Sequence, residues 1–136
     1  MKILLTILAI IISSTSFGQT TQDIFQNGIK KHNSKDYKGA IEEYSQAINT
    51  DKNFRDAYFN RGVCEQAIQD IKSAKKDFDK TIDIDPTFAK AYYSRATLLV
   101  SAEKYLEALP DLDKAIEIDP TLPNALNLRG QIRVQT

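Results

Sequence analysis

The chain has no tryptophan, one cysteine, one histidine, five glycines and four prolines among its 136 residues. The lone thiol, Cys64, excludes an internal disulfide. The lone imidazole, His32, cannot make a His-rich metal centre, and no acidic cluster at ligand spacing surrounds it. Neither a Gly-rich phosphate loop nor a Gly-x-Ser-x-Gly elbow occurs, so the backbone devices of nucleotide and acyl chemistry are missing. No cofactor is expected, and the chain reads as a non-enzyme. An excess of one charge is lacking too: 18 basic against 18 acidic residues leave +0, which gives no footprint for nucleic acid or acidic lipid.

Long apolar runs are also scarce. The longest is 3–12, broken only by Thr6. As a helix it would reach about 15 Å, half of a hydrocarbon core of roughly 30 Å, so it is too short to span a membrane. With Lys2 before it, small polar residues after it, and Ser16 and Gly18 at the −3 and −1 places before Gln19, residues 1–18 have the layout of a secretory signal peptide. The mature chain, 19–136, is then extracytoplasmic, either periplasmic or secreted, with no stable membrane span. The competing reading keeps the segment as an N-terminal anchor.

What is present is a globular composition, 42% hydrophobic and 26% charged, in a chain long enough for one modest core. Its strongest feature is self-similarity. DKTIDIDPTFAKAYYSRA at 79–96 recurs 34 residues later as DKAIEIDPTLPNALNLRG, with nine of eighteen positions identical. It recurs more loosely 34 residues earlier as SQAINTDKNFRDAYFNRG. The chain therefore divides into units 21–54, 55–88 and 89–122 and a fragment 123–136. A fixed period of this size signals stacked supersecondary units, none able to bury its apolar face alone.

Two helical patterns alternate within each unit. In the first, Ile24, Gly28 and Lys31 align with Tyr58, Gly62 and Glu65, with Tyr92, Ala96 and Leu99, and with Leu126, Gly130 and Arg133 of the fragment. Spacings of four and three keep each set on one face. In the second, Ala40, Ile41, Tyr44, Ala47 and Ile48 match Ala74, Phe78, Thr81 and Ile82, and then Ala108, Leu109, Leu112, Ala115 and Ile116. That is one buried helical stripe. Asp85-Pro86 and Asp119-Pro120 end the second helices, because the residue before proline is driven from the helical region. Asp51-Lys52 makes a softer end in the first unit.

These residues resemble the tetratricopeptide repeat family. Its pattern of aromatic, small residue, Ala, aromatic, Ala and Pro stands here as Tyr58, Gly62, Ala74, Phe78, Thr81 and Pro86. It stands again as Tyr92, Ala96, Ala108, Leu112, Ala115 and Pro120, and more loosely as Ile24, Gly28, Ala40, Tyr44, Ala47 and Lys52. The family's period is about 34 residues, so the period belongs to the resemblance. The resemblance implies an all-α right-handed superhelix of stacked helix–turn–helix hairpins, three repeats plus a C-terminal capping helix, and a role in binding proteins. Gly28, Gly62, Ala96 and Gly130 are then places of close helix approach. The polar fragment 123–136 caps the stack, or alternatively docks on another copy.

Several residues carry further expectations. Pro110, inside a second helix, cannot donate to the Leu106 carbonyl and should give a local kink or a late helix start, with a hinge as the functional alternative. Arg61 and Arg95 each have an acid at matched spacing, Asp77 and Asp111, for a structural pair between helices. Cys64 reads as a buried small residue rather than a reactive thiol. The pairs Asp83 with Asp85 and Glu117 with Asp119 read as solvated helix ends rather than catalytic carboxylates.

The resemblance also implies a concave surface lined by the first helix of each unit. Its positions carry over as Phe25, Gln26 and Ile29; as Asp56, Phe59, Asn60 and Val63; as Lys90, Tyr93, Ser94 and Thr97; and as Asn127. Phe25, Phe59 and Tyr93 form an aromatic ladder that either holds peptide side chains or packs against neighbouring helices. Amides beside it could pair with an extended peptide backbone. The family's two-carboxylate clamp is expected to be absent: of its Lys, Asn, Asn, Lys and Arg, the places here hold Phe25, Ile29, Asn60, Lys90 and Ser94. The functional expectation is an exported adaptor for a protein or peptide. Its alternatives are self-association into a homo-oligomeric scaffold through the stack ends, and a non-catalytic subunit of an envelope enzyme complex.

Overall fold

The structure, a computed structural model, describes residues 20–135. The expected signal segment 1–18 and its cleavage point lie outside the described residues. Seven helices follow in order: α1 (20–33), α2 (Tyr37–Thr50), α3 (Arg55–Ala67), α4 (Ile71–Ile84), α5 (Ala89–Ser101), α6 (Tyr105–Ile118) and α7 (Pro123–Gln135). They form three hairpins, α1/α2, α3/α4 and α5/α6, stacked in chain order with α7 on the end.

The same backbone devices join the helices in each unit. The first helix ends on a left-handed residue, Lys35 at φ 64°, Gln69 at φ 65° and Glu103 at φ 59°. The next N–H then reaches back to a carbonyl five residues earlier: Asp36 to Lys31, Asp70 to Glu65 and Lys104 to Leu99, each at 2.9 Å. This closure satisfies carbonyls that the helix end would otherwise leave bare. Asp36 and Asp70 go on to cap the second helices, accepting from Gly39 N at 3.0 Å and Ser73 N at 3.2 Å. Between hairpins, Asp51, Asp85 and Asp119 accept from the backbone two residues on at 2.9, 3.0 and 3.0 Å. These acids, two of them before proline, thus shape the linkers.

The core is the stripe of the second helices. Ala40, Tyr44 and Ala47, then Ala74, Phe78 and Thr81, then Ala108, Leu112 and Ala115, are all fully buried. Each large apolar side chain so buried stabilises the fold by about 1.5–3 kcal/mol. Close approach is real at Gly62, where a Cβ would lie 2.8 Å from the Phe78 ring and 3.2 Å from Asp77 Cβ. The expectation fails at Gly130, which has nothing within 4 Å of a Cβ position, because no helix among the described residues covers that face of α7. Pro110 does not delay α6, which runs unbroken from Tyr105. Leu106, whose carbonyl Pro110 leaves bare, is 67% exposed, so water can satisfy it.

Arginine side chains tie the stack at regular intervals. Arg61 forks onto Asp77 through Nε at 2.6 Å and Nη2 at 2.8 Å, and Arg95 forks onto Asp111 at 2.8 and 2.6 Å. The third nitrogen, Nη1, points to the preceding hairpin: Arg61 to Ser45 Oγ at 3.0 Å, Arg95 to Asp79 at 2.7 Å and Arg129 to Asp113 at 2.9 Å. Each fork therefore binds its own hairpin, and each Nη1 binds the one before. Bidentate pairs of this kind fix geometry as well as adding energy.

Candidate functional site

The first helices lie side by side: α3 touches α5 directly, and Gln66 Nε2 donates to Thr97 Oγ1 across the gap at 3.1 Å. Between them is a hollow of about 280 Å³ lined by Arg55, Asp56, Phe59 and Asn60 of α3, by Phe88, and by Lys90 of α5. Four of the sequence-predicted positions therefore meet in one place. Val63, Tyr93, Ser94 and Thr97 are half-buried further along α3 and α5. Gln26 on α1 and Asn127 on α7 are exposed, outside the hollow, and Ile29 packs half-buried against the first core cluster.

The aromatic ladder divides rung by rung. Phe25 is a core residue, 7% exposed, with ring centroids 4.6 Å from Phe54 and 5.6 Å from Tyr44. As a groove contact it is corrected: Phe54, in the linker, covers it. Phe59 is half-buried, edge-on to Phe88 at 5.0 Å and tilted against Phe78 at 5.9 Å. One edge of it still lines the hollow. Tyr93 is half-buried and packs against the third-hairpin core.

Sequence reasoning missed Arg55 and Phe88. Arg55 lies 4.5 Å over the Phe88 ring and pairs with Asp56 and Asp85, each at 2.7 Å. Those hydrogen bonds, Asp85 first, raise the arginine's already high pKa and hold it charged. Phe88 did leave a signal: Phe54, Phe88 and Leu122 recur at the repeat period immediately before a first helix. Arg55 left another, since Thr21, Ala89 and Pro123 hold its place in the other units.

The charges of the hollow are unequal in availability. Asp56 and Asp85 are engaged by Arg55, whereas Lys90 is exposed and has no ion pair among the described residues. The Asn60 amide likewise has no side-chain hydrogen bond among them. The free groups are thus one cation and one amide beside an aromatic edge, which together can receive a carboxylate and a peptide backbone. Burial pushes the Cys64 thiol up to about 11, and it is fully buried, so it is no nucleophile at neutral pH. Among the described residues no group of three or more His, Cys, Asp or Glu could hold a metal, and no helix is long and apolar enough to cross a membrane.

Three family models match the chain. Two described as tetratricopeptide repeat cover residues 56–88 and 89–122, and one described as TPR repeat covers 32–64. No curated protein sequence matches. Among solved structures, the Arabidopsis OM64 TPR domain has a TM-score of 0.83 at 24% identity, covering 87% of this chain and 98% of that one. The first TPR of Spaghetti (RPAP3), bound to the HSP90 peptide SRMEEVD, has a TM-score of 0.81 at 21% identity, covering 86% and 93%. The TPR2B domain of yeast Sti1, in a complex with pHsp70, has a TM-score of 0.79 at 23% identity, covering 87% and 99%. At these identities the likeness establishes the fold.

Proposed function

Because the chain is built of tetratricopeptide repeats, we propose that it is an exported protein-binding adaptor that seats an extended peptide along α3 and α5. The hollow between those helices carries the reading, since it gathers an open cation, an open amide and an aromatic edge. Lys90 receives a carboxylate, Asn60 pairs with the peptide backbone, and the edge of Phe59 supports a side chain. The Spaghetti and Sti1 domains take HSP90 and pHsp70 ligands. This chain keeps only Asn60 and Lys90 of the family's clamp, so its ligand need not end like SRMEEVD. Export rests on Lys2, the 3–12 run and the small residues before Gln19.

The test uses the chain as recovered from the envelope or medium, where its intact mass should begin at Gln19. Proteins captured by this chain should be lost on Asn60→Ala combined with Lys90→Ala, at an unchanged melting temperature. Each substitution should weaken the captured partner by about tenfold, the worth of one hydrogen bond to a charged or desolvated group. Undiminished capture by the double variant would remove this face from the account; a mass beginning at Met1 in the envelope would mean a retained anchor, and a chain beginning at Met1 in the cytosol would remove export.

A further inference from the structure

The outer face of α7 is a seat with no occupant among the described residues. Leu126, Arg129, Gly130 and Arg133 hold the positions that Tyr58, Arg61, Gly62 and Glu65 hold on α3. On α3 that face is covered by α4, with Phe78 over Gly62 and Asp77 in the Arg61 fork. On α5 it is covered by α6, with Asp111 in the Arg95 fork. On α7 Gly130 is open, and Leu126 and Val134 are 39% and 88% exposed. Arg129 spends only Nη1, on Asp113 of the preceding hairpin. Its Nε and Nη2, the two nitrogens that grip the covering helix in both other cases, have no partner among the described residues.

The internal repeat also states what fits. The two covering helices whose acid lies in an arginine fork share one pattern: a small residue, then three positions on an acid, then at once a large apolar side chain. It reads Ala74, Asp77, Phe78 in α4 and Ala108, Asp111, Leu112 in α6. The open face of α7 is complementary to that pattern in shape at Gly130 and in charge, since Arg129 and Arg133 share the single acid Asp113. We propose that this face docks an amphipathic helix of another polypeptide, with a carboxylate entering the free Arg129 fork and the adjacent apolar side chain seated over Gly130. This surface is separate from the hollow between α3 and α5, so two partners could be joined by one chain.

The probe is a peptide of the α4 sequence, Ile71–Ile84, closed by a lactam between Lys75 and Asp79, which already meet at 2.7 Å. Fluorescence anisotropy against the full chain should show saturable binding. Arg129→Gln in the chain should weaken it about tenfold, Asp77→Asn in the peptide should do the same, and the two together should cost no more than either alone. Gly130→Leu should abolish binding by filling the seat. Both chain variants should melt like the parent, because Arg129 pairs only with a half-exposed acid and Gly130 touches nothing. No saturable binding, or binding indifferent to Arg129→Gln and Gly130→Leu, overturns the proposal. So does a dimer of the unliganded chain in sedimentation that either variant splits, since the occupant would then be a second copy.

Discussion

The second and third hairpins, α3/α4 and α5/α6, share one geometry and solve it with different residues. Gly62 faces Phe78, and at the same register Ala96 and Leu112 share the third-hairpin core; the larger ring is matched by the smaller partner. Asp70 caps α4 through Ser73 N, while Lys104 stands before α6 with no side-chain cap. Glu65 is buried beside Asp77, whereas its counterpart beside Asp111 is Leu99. The Arg–Asp fork is common to both. The period therefore preserves contact geometry and the fork, and leaves electrostatic cost and capping free to vary. The second hairpin is well capped and carries an expensive acid. The third avoids the acid and lacks the cap.

The largest expected effect lies at that acid. Glu65 is 8% exposed and its Oε2 has no hydrogen-bond partner among the described residues. Burial first, then the Asp77 charge, push its carboxyl up to about 8 from an ordinary value of 4.5, with Arg61 at 3.8 Å pulling the other way. The folded state thus holds a proton that the unfolded chain releases. This group's contribution to stability is fully present below the unfolded value and is lost as pH rises from about 4.5 to about 8. Glu65→Gln, a neutral shape mimic, should stabilise the chain by about 3 kcal/mol at pH 8 and little at pH 5. Chemical denaturation at the two pH values reads this directly. An equal gain at both would mean that the charge is not the cost.

Next is the close contact. Gly62→Leu should destabilise by about 2 kcal/mol, since the Phe78 ring and Asp77 Cβ already bound the space. The same change at Gly130 should be neutral, as nothing lies within 4 Å there. Equal melting curves for the two variants would show that Phe78 can yield, and that the glycine in the second hairpin is not set by packing.

Much of this was legible in the residues. The period, the buried stripes of the second helices and the forks at Arg61 and Arg95 all follow from spacing, because a helix repeats its faces every three or four positions. What failed was knowledge of neighbours. Gly130 has the right register but no helix opposite it among the described residues. Phe25 has the right register for a groove, but Phe54, a linker residue outside any helical pattern, folds over it. Glu65 sits in a face whose other members include Lys31 and Leu99, so the spacing marks the position and says nothing of the charge it must bury. The left-handed turn residues are lysine, glutamine and glutamate rather than glycine, so the usual signature of that conformation was missing.

The smallest effect tests the cap. Lys104 holds the position before α6 at φ −89° and ψ 58°, close to Asp70 at −83° and 74° and Asp36 at −79° and 72°. The backbone is therefore already set to receive a capping side chain, and only the chemistry is wrong. A lysine there cannot accept from the helix N–H groups, and its charge opposes the positive end of the helix dipole. Its pair with Glu107, at 3.4 Å between two well-exposed side chains, is worth little. Lys104→Asp should stabilise the chain by about 1 kcal/mol, and Asp70→Lys should cost a similar amount in the second hairpin. Because stability in a stack is partly local to each repeat, amide exchange is the sharper measurement: protection should rise in α6 for the first variant and fall in α4 for the second. If Lys104→Asp leaves α6 protection unchanged while Asp70→Lys lowers that of α4, then capping is not what the third hairpin lacks, and Pro110, inside α6, is the next difference to test.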